Sequence, residues 1–279
     1  MILAYTPSEL RRVLSDRRHP VGFVPTMGAL HRGHTSLFDV ARSSCASVVA
    51  SIFVNALQFD RQSDLEKYPR PLESDLDLCR EHGVDVVYVP NHETMYPAGF
   101  STVVSVGRLG RILEGAHRPG HFDGVATVVT KLLSAVRPDV AFFGQKDLQQ
   151  IAVIERLSTD LDLGVEIRTQ PTIRDIDGLA LSSRNVRLSE TGRQSALAIP
   201  RALESARLAA KSTGATSTSV SRTMNTELMA AGLSVDYAIV LDADSFEESE
   251  PLTSRSVALV AATVDDVRLI DNCFLFDQS

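Results

Sequence analysis

Hydrophobic positions along the chain follow two rhythms. Short, nearly unbroken apolar runs at Val21–Val24, Ser47–Val54, Asp85–Pro90, Val140–Gly144 and Val165–Pro171 read as buried strands. Thr35–Cys45, Glu73–His82, Asp123–Val136 and Leu148–Leu161 instead repeat apolar residues every three or four positions, the spacing of a helix with one buried face. Gly83 and Pro138 mark two of the helix ends. Strand and helix alternate, which predicts an α/β fold with a parallel sheet and right-handed crossovers.

Past Pro171 the pattern changes. Thr191–Ala210 is one long Ala-rich helical stretch, "KSTGATSTS" is a polar break, and a second helix follows near Arg222–Ala231. "VDYAIVLD", "SVALVAATV" and "VRLIDNCFLF" then read as strands joined by turns. This order predicts a smaller α+β domain over 173–279, after a Rossmann-like domain over 1–172. One segment fits neither rhythm. Gln58–Asp75 is polar and charged and carries Pro69 and Pro71, so a loop is expected there, with Asp60–Ser74 acting as a lid.

Composition narrows the class. The 279 residues are 44% hydrophobic and 23% charged, enough for an ample core. A net charge of −7 argues against a general nucleic-acid binder. Cys45, Cys79 and Cys273 are far apart and not in CxxC spacing, so free thiols in a reducing cytoplasm are expected. No run reaches the ~20 apolar residues that cross a bilayer, and no signal peptide is evident.

The chemistry gathers where the first of these strands meets a helix. His31 and His34 lie three apart around Gly33, after Gly28. Ligands of open parallel sheets collect outside the carboxyl ends of strands. A helix start supplies unpaired N–H groups for phosphate, and two imidazoles one turn apart can face the same anion. Zinc is the competing use of two histidines, but neither HExxH nor a nearby cysteine supplies a third ligand. Neither GxxxxGK[ST] nor GxGxxG occurs. Lys146 is one of only four lysines and follows a predicted strand. Taken singly, Lys146 reads as a surface lysine, Leu181–Arg184 as a polar turn, and Gln58 and Gln150 as surface residues.

Together these stretches change the picture. "VPTMGALHRGH", "SIFVNALQF", "YPRPLESD", "LEGAHRPGHFDGVATVVTKL", "FFGQKDLQQ" and "DGLALSSRN" occur in that order. The chain thereby resembles the pantoate–β-alanine ligase family of the HxGH nucleotidyltransferases. The resemblance implies adenylation of the pantoate carboxylate by ATP with loss of pyrophosphate, then attack by the β-alanine amine with release of AMP. It implies His31, His34, Lys146, Ser182, Ser183 and Arg184 as catalytic groups. It places ATP on those six and on Pro25, Thr26, Met27, Gly28, Gly33, Gly144, Asp147, Ile173 and Leu181.

Pantoate and β-alanine are expected at Gln58, Gln150, Met27, Asn55, Tyr68, Arg118 and His121, with Glu114 nearby. Glu114, Arg118 and His121 could equally form a structural salt-bridge loop. Magnesium is expected with the phosphates, with Asp75 as its candidate protein contact. The resemblance also implies a homodimer, and a second domain that closes over the nucleotide. Ala56, Ser74, Gln145, Leu148 and Leu181 depart from the family's common residues. The rival readings are a related nucleotidylyltransferase with a phosphorylated acceptor and a catalytically silent adenine-nucleotide-binding module.

Overall fold

The computed structural model describes residues 1–277. Two compact units divide it: Met1–Gln145 with Gln149–Pro171, and Lys146–Leu148 with the described residues from Thr172 on. The first unit holds six parallel strands: β1 (Ile2–Ala4), β2 (Val21–Thr26), β3 (Ser47–Ile52), β4 (Val86–Tyr88), β5 (Val140–Gly144) and β6 (Glu166–Gln170). Their spatial order is β1-β4-β3-β2-β5-β6. The chain runs outward from β2 through β3 to β4, then returns to β5 on the other side of β2. Connections therefore diverge between β2 and β5, and Thr26 and Gly144 end the two strands that flank this switch point.

Both sheet faces are buried. Phe23 and Val49 pack on one side with Phe122, Val125, Val129 and Ile154. Val24, Val48 and Ala50 pack on the other with Phe38, Leu76 and Cys79. This period-two split explains why β2 and β3 read as continuous apolar runs rather than alternating ones.

Several boundaries differ from the expectations. Sequence patterning passed over β1 and the helix Pro7–Leu14, although Thr6 and Glu9 form a capping box around Pro7. The helix expected from Thr35 begins at Arg32, which places His31 on its N-cap. The expected loop contains a short helix, Gln62–Glu66, and Leu72–Glu81 follows directly.

The second unit has an antiparallel sheet of β7 (Ser234–Asp242), β8 (Ser256–Val264) and β9 (Val267–Phe274), in that spatial order. Ile199, Leu203, Val220 and Met224 join Val240, Val260 and Leu269 in its core. The single helix expected over Thr191–Ala210 is two, Glu190–Ala196 and Ala198–Ala210. Pro200 accounts for the break, since it has no N–H and its ring excludes the carbonyl four residues back.

The three cysteines are free thiols. Burial pushes Cys79 and Cys273 up to about 12. Among the described residues no helix is long and apolar enough to cross a membrane.

Candidate active site

The turn that leaves β2 is built to fix two imidazoles. Thr26 Oγ1 donates to the Ser51 carbonyl and accepts from Gly28 N–H. Gly28 then takes φ +79°, where a Cβ would also sit 2.8 Å from Asp75 Oδ2. Asp75 is 1% exposed, and its two oxygens accept the N–H groups of Ala29 and Leu30 at 2.9 and 2.8 Å. Burial raises its pKa against the pull of these two bonds. Asp75, the expected magnesium contact, thus has each carboxylate oxygen bonded to a main-chain N–H of the turn. Ser74, beside it, is exposed.

His31 and His34 close this turn onto the helix Arg32–Ser44. Gly33 N–H donates to His31 Nδ1 at 3.1 Å, and His31 N–H donates to His34 Nδ1 at 3.3 Å. A backbone N–H can only donate, so each Nδ1 is an acceptor. The neutral rings are therefore both Nε2–H tautomers. Their centroids lie 4.1 Å apart. This arrangement presents two N–H donors at a helix start, suited to anionic oxygens.

Beyond β3, Asn55 caps the 3₁₀ turn Ala56–Gln58. The turn forms even with Ala56 in place of the family's common proline. Asn55, expected to touch substrate, is 1% exposed. Asn55 Nδ2 donates to Gln58 Oε1 at 3.0 Å and to the Gly124 carbonyl at 3.1 Å. Gln58 Nε2 points to Met27 Sδ at 3.0 Å.

Arg118 and His121, also expected at the substrate, both bond the main chain of Gln58. His121 Nδ1 donates to the Gln58 carbonyl at 2.8 Å, and Arg118 donates to the same oxygen at 3.1 Å. Arg118 Nη1 meets His121 Nε2 at 3.2 Å and also pairs with Asp60 and, at 3.9 Å, with Glu114. Glu114, Arg118 and His121 thus share one hydrogen-bonded, ion-paired loop. Tyr68 is buried, edge-on to Phe59.

Gly124 lies in the helix His121–Val136, where a Cβ would fall 2.3 Å from the Leu57 carbonyl. Helix backbone thus lies directly on the turn that carries Gln58. A lone glycine inside an otherwise apolar helical pattern was a signal that could have revealed this contact. Gln150 is partly exposed with no side-chain hydrogen bond among the described residues. Its neighbour Gln149 is buried and holds Leu109, Ile112 and Glu114. Gly144 ends β5 with open space where a Cβ would be.

In the second unit Lys146 and Asp147 lie in the 3₁₀ turn Gln145–Asp147, with Lys146 Nζ 3.9 Å from Asp147 Oδ1. Asn272 of β9 holds the Lys146 carbonyl at 3.0 Å. Ser182–Arg184 follow a small hairpin closed by Leu181 N–H to the Ile173 carbonyl and by Asp175 N–H to the Leu179 carbonyl. Arg174 clamps this hairpin to β9 by two bonds to Asp271, at 2.6 and 3.0 Å. Arg193 grips Asp175 and Asp177, each at 2.8 Å. Ser182 Oγ accepts Arg184 N–H, and Asn185 donates to the Ala180 carbonyl. Two hydroxyls and a guanidinium on such a turn have the chemistry that suits phosphate oxygens.

No group of three or more His, Cys, Asp or Glu that could hold a metal ion occurs among the described residues. Comparison with known proteins sharpens the chemistry. The sequence model described as Pantoate-beta-alanine ligase matches residues 3–274. A pantothenate synthetase of Cereibacter sphaeroides is 49% identical over 270 residues, covering 96% of this chain and 97% of that protein. A crystal structure of pantothenate synthetase from Thermus thermophilus superposes with TM-score 0.94 at 43% identity, covering 99% of this chain and all of that one. A pantoate–β-alanine ligase of Francisella tularensis, solved with β,γ-ATP and β-alanine, is 33% identical with TM-score 0.81, covering 99% and 98%.

Proposed function

Since the chain belongs to the pantoate–β-alanine ligase family and is a ligase of that type, we propose that it joins pantoate to β-alanine through a pantoyl adenylate, releasing pyrophosphate and then AMP. The observation that carries this is the pair of Nε2–H donors fixed at the start of the helix Arg32–Ser44. A carboxylate does not acylate an amine at neutral pH, because its leaving group is an oxide. Transfer of AMP supplies a better one. In that step the α-phosphorus gains a fifth oxygen, and charge shifts onto the pyrophosphate.

His31 and His34 then donate to phosphate oxygens whose charge grows in the transition state. The rings need move no proton to do this. Lys146, Ser182, Ser183 and Arg184 are assigned to the triphosphate as charge and hydrogen-bond donors. Magnesium belongs to the substrate as MgATP. Gln58 and Gln150 are assigned to pantoate. The amide of Gln58 is held with its NH₂ end outward, which suits a carboxylate or hydroxyl oxygen. The Francisella tularensis complex with β,γ-ATP and β-alanine supports the same substrate set here. A homodimer is part of the same reading, checked by sedimentation.

Product analysis tests the pathway. Pyrophosphate is expected to form from ATP only when pantoate is present, with free AMP appearing only on addition of β-alanine. Pyrophosphate released with a phosphorylated acceptor instead of pantoate, or free AMP in the absence of β-alanine at the full rate, overturns it.

A further inference from the structure

The donor end of Gln58 is not a free choice of that side chain. Its origin can be followed through groups whose hydrogen-bonding sense cannot change. The Gly124 carbonyl can only accept, and Leu57 N–H can only donate. Asn55 meets both, with Nδ2 to Gly124 O at 3.1 Å and Oδ1 to Leu57 N at 3.4 Å. That fixes which end of the Asn55 amide is oxygen. The second Nδ2 hydrogen goes to Gln58 Oε1, so Gln58 keeps its oxygen inward and turns its NH₂ toward Met27 Sδ. Thioether sulfur is a weak acceptor and gives up such a bond easily.

The 3.4 Å contact is long for an N–H donor and holds Asn55 Oδ1 poorly. A much shorter bond does that work. Tyr96 Oη lies 2.7 Å from Asn55 Oδ1, and because that oxygen only accepts, the phenol donates. Tyr96 is buried, and burial pushes its pKa up, so the phenol stays a donor. Phe53, His92 and Phe100 surround its ring, with centroids 6.1, 5.4 and 4.9 Å away. The hydroxyl can therefore be removed without moving the ring.

We propose that Tyr96 is a positioning residue that acts through Asn55 to hold the Gln58 amide in the orientation its neighbours dictate, so that Gln58 meets the organic-acid substrate as a hydrogen-bond donor. The inference rests on the assignment of Gln58 to pantoate. Loss of the Tyr96 hydroxyl leaves Asn55 Oδ1 with only the long Leu57 contact, so the Asn55 amide is held less tightly and Gln58, bonded to it, strays from its donating position.

Steady-state kinetics of Tyr96→Phe, Gln58→Ala and the double variant test this, with thermal melts alongside. Tyr96→Phe is expected to raise the pantoate KM about tenfold, the scale of one neutral hydrogen bond. The ATP KM should stay within about twofold and the melting transition should be retained. In the Gln58→Ala background, Tyr96→Phe should add less than about twofold, because its effect passes through Gln58. The proposal is overturned if the two effects multiply, or if Tyr96→Phe raises the ATP and pantoate KM alike, as a merely structural residue would. Damage in Gln58→Ala with none in Tyr96→Phe overturns this inference alone. An unchanged pantoate KM in Gln58→Ala overturns the pantoate assignment and this inference with it.

Discussion

The turn after β2 and the hairpin before Ser182 both carry groups we assign to the triphosphate, yet they are held by opposite means. At the turn after β2 the supports are uncharged, with one exception. Imidazole nitrogens and a threonine hydroxyl accept main-chain N–H groups, and the one ion, Asp75, is buried with only N–H donors on its oxygens. In the second unit the supports are guanidinium–carboxylate pairs, Arg174 with Asp271 and Arg193 with Asp175 and Asp177. The first arrangement fixes ring tautomers and so the direction of donated protons. The second fixes where a short loop lies. Chemistry that needs oriented donors and chemistry that needs placed charge thus draw on different parts of the hydrogen-bonding repertoire.

Removing the anion-facing groups themselves gives the largest effect and should erase the difference between the units. His34→Ala and Lys146→Ala are each expected to lower turnover by more than ~100-fold with folding retained, the scale of losing a transition-state donor. Turnover beside circular dichroism checks this, and two fully active variants would break the assignment.

Removing the supports should bring the difference back at smaller scale. Asp271→Asn leaves Arg174 without its ionic partner. We expect about 2 kcal/mol of lost stability, less than a fully buried pair would cost because Arg174 keeps contact with water. Urea unfolding measures the loss, and the ATP KM should rise with it. If the ATP KM stays at its native value, the clamp does not serve the Ser182–Arg184 loop.

The smallest effect is a pH signature of opposite sign. Burial raises the Asp75 pKa, so the folded state binds that proton more readily than the unfolded state. Its contribution to stability is full below the ordinary carboxylate pKa and is lost as pH rises through the raised one. The Arg193 hydrogen bond lowers the Asp177 pKa. Its contribution is present above the ordinary value and is lost as pH falls through the depressed one. Thermal melts across the acid range should therefore show the Asp177→Asn deficit shrinking as pH falls and the Asp75→Asn deficit widening.

Much of the scaffold was legible in the chain because local patterning decides it. β2, β3 and β5 are apolar runs, and the helices between them carry one buried face. The finer supports were not legible, for two reasons. Histidine is not a usual N-cap residue, so a helix beginning at Arg32 with His31 as its cap left no local trace. Other contacts join residues far apart in sequence, as Asp75 with Ala29 and Tyr96 with Asn55, 46 and 41 positions away. Spacing along a chain says nothing about such pairs. Gln58 was singled out through resemblance, whereas the direction of its amide needed every partner around it.

At Gly124 one absent methyl group lets main chain rest on main chain. Around that point the corner we assign to the acid can diverge one side chain at a time, while the spacing of its backbone stays frozen. Drift toward bulkier or shorter acids must then come from exchanges at positions such as Met27, since any residue larger than glycine at 124 pries the corner open before a new shape can be selected.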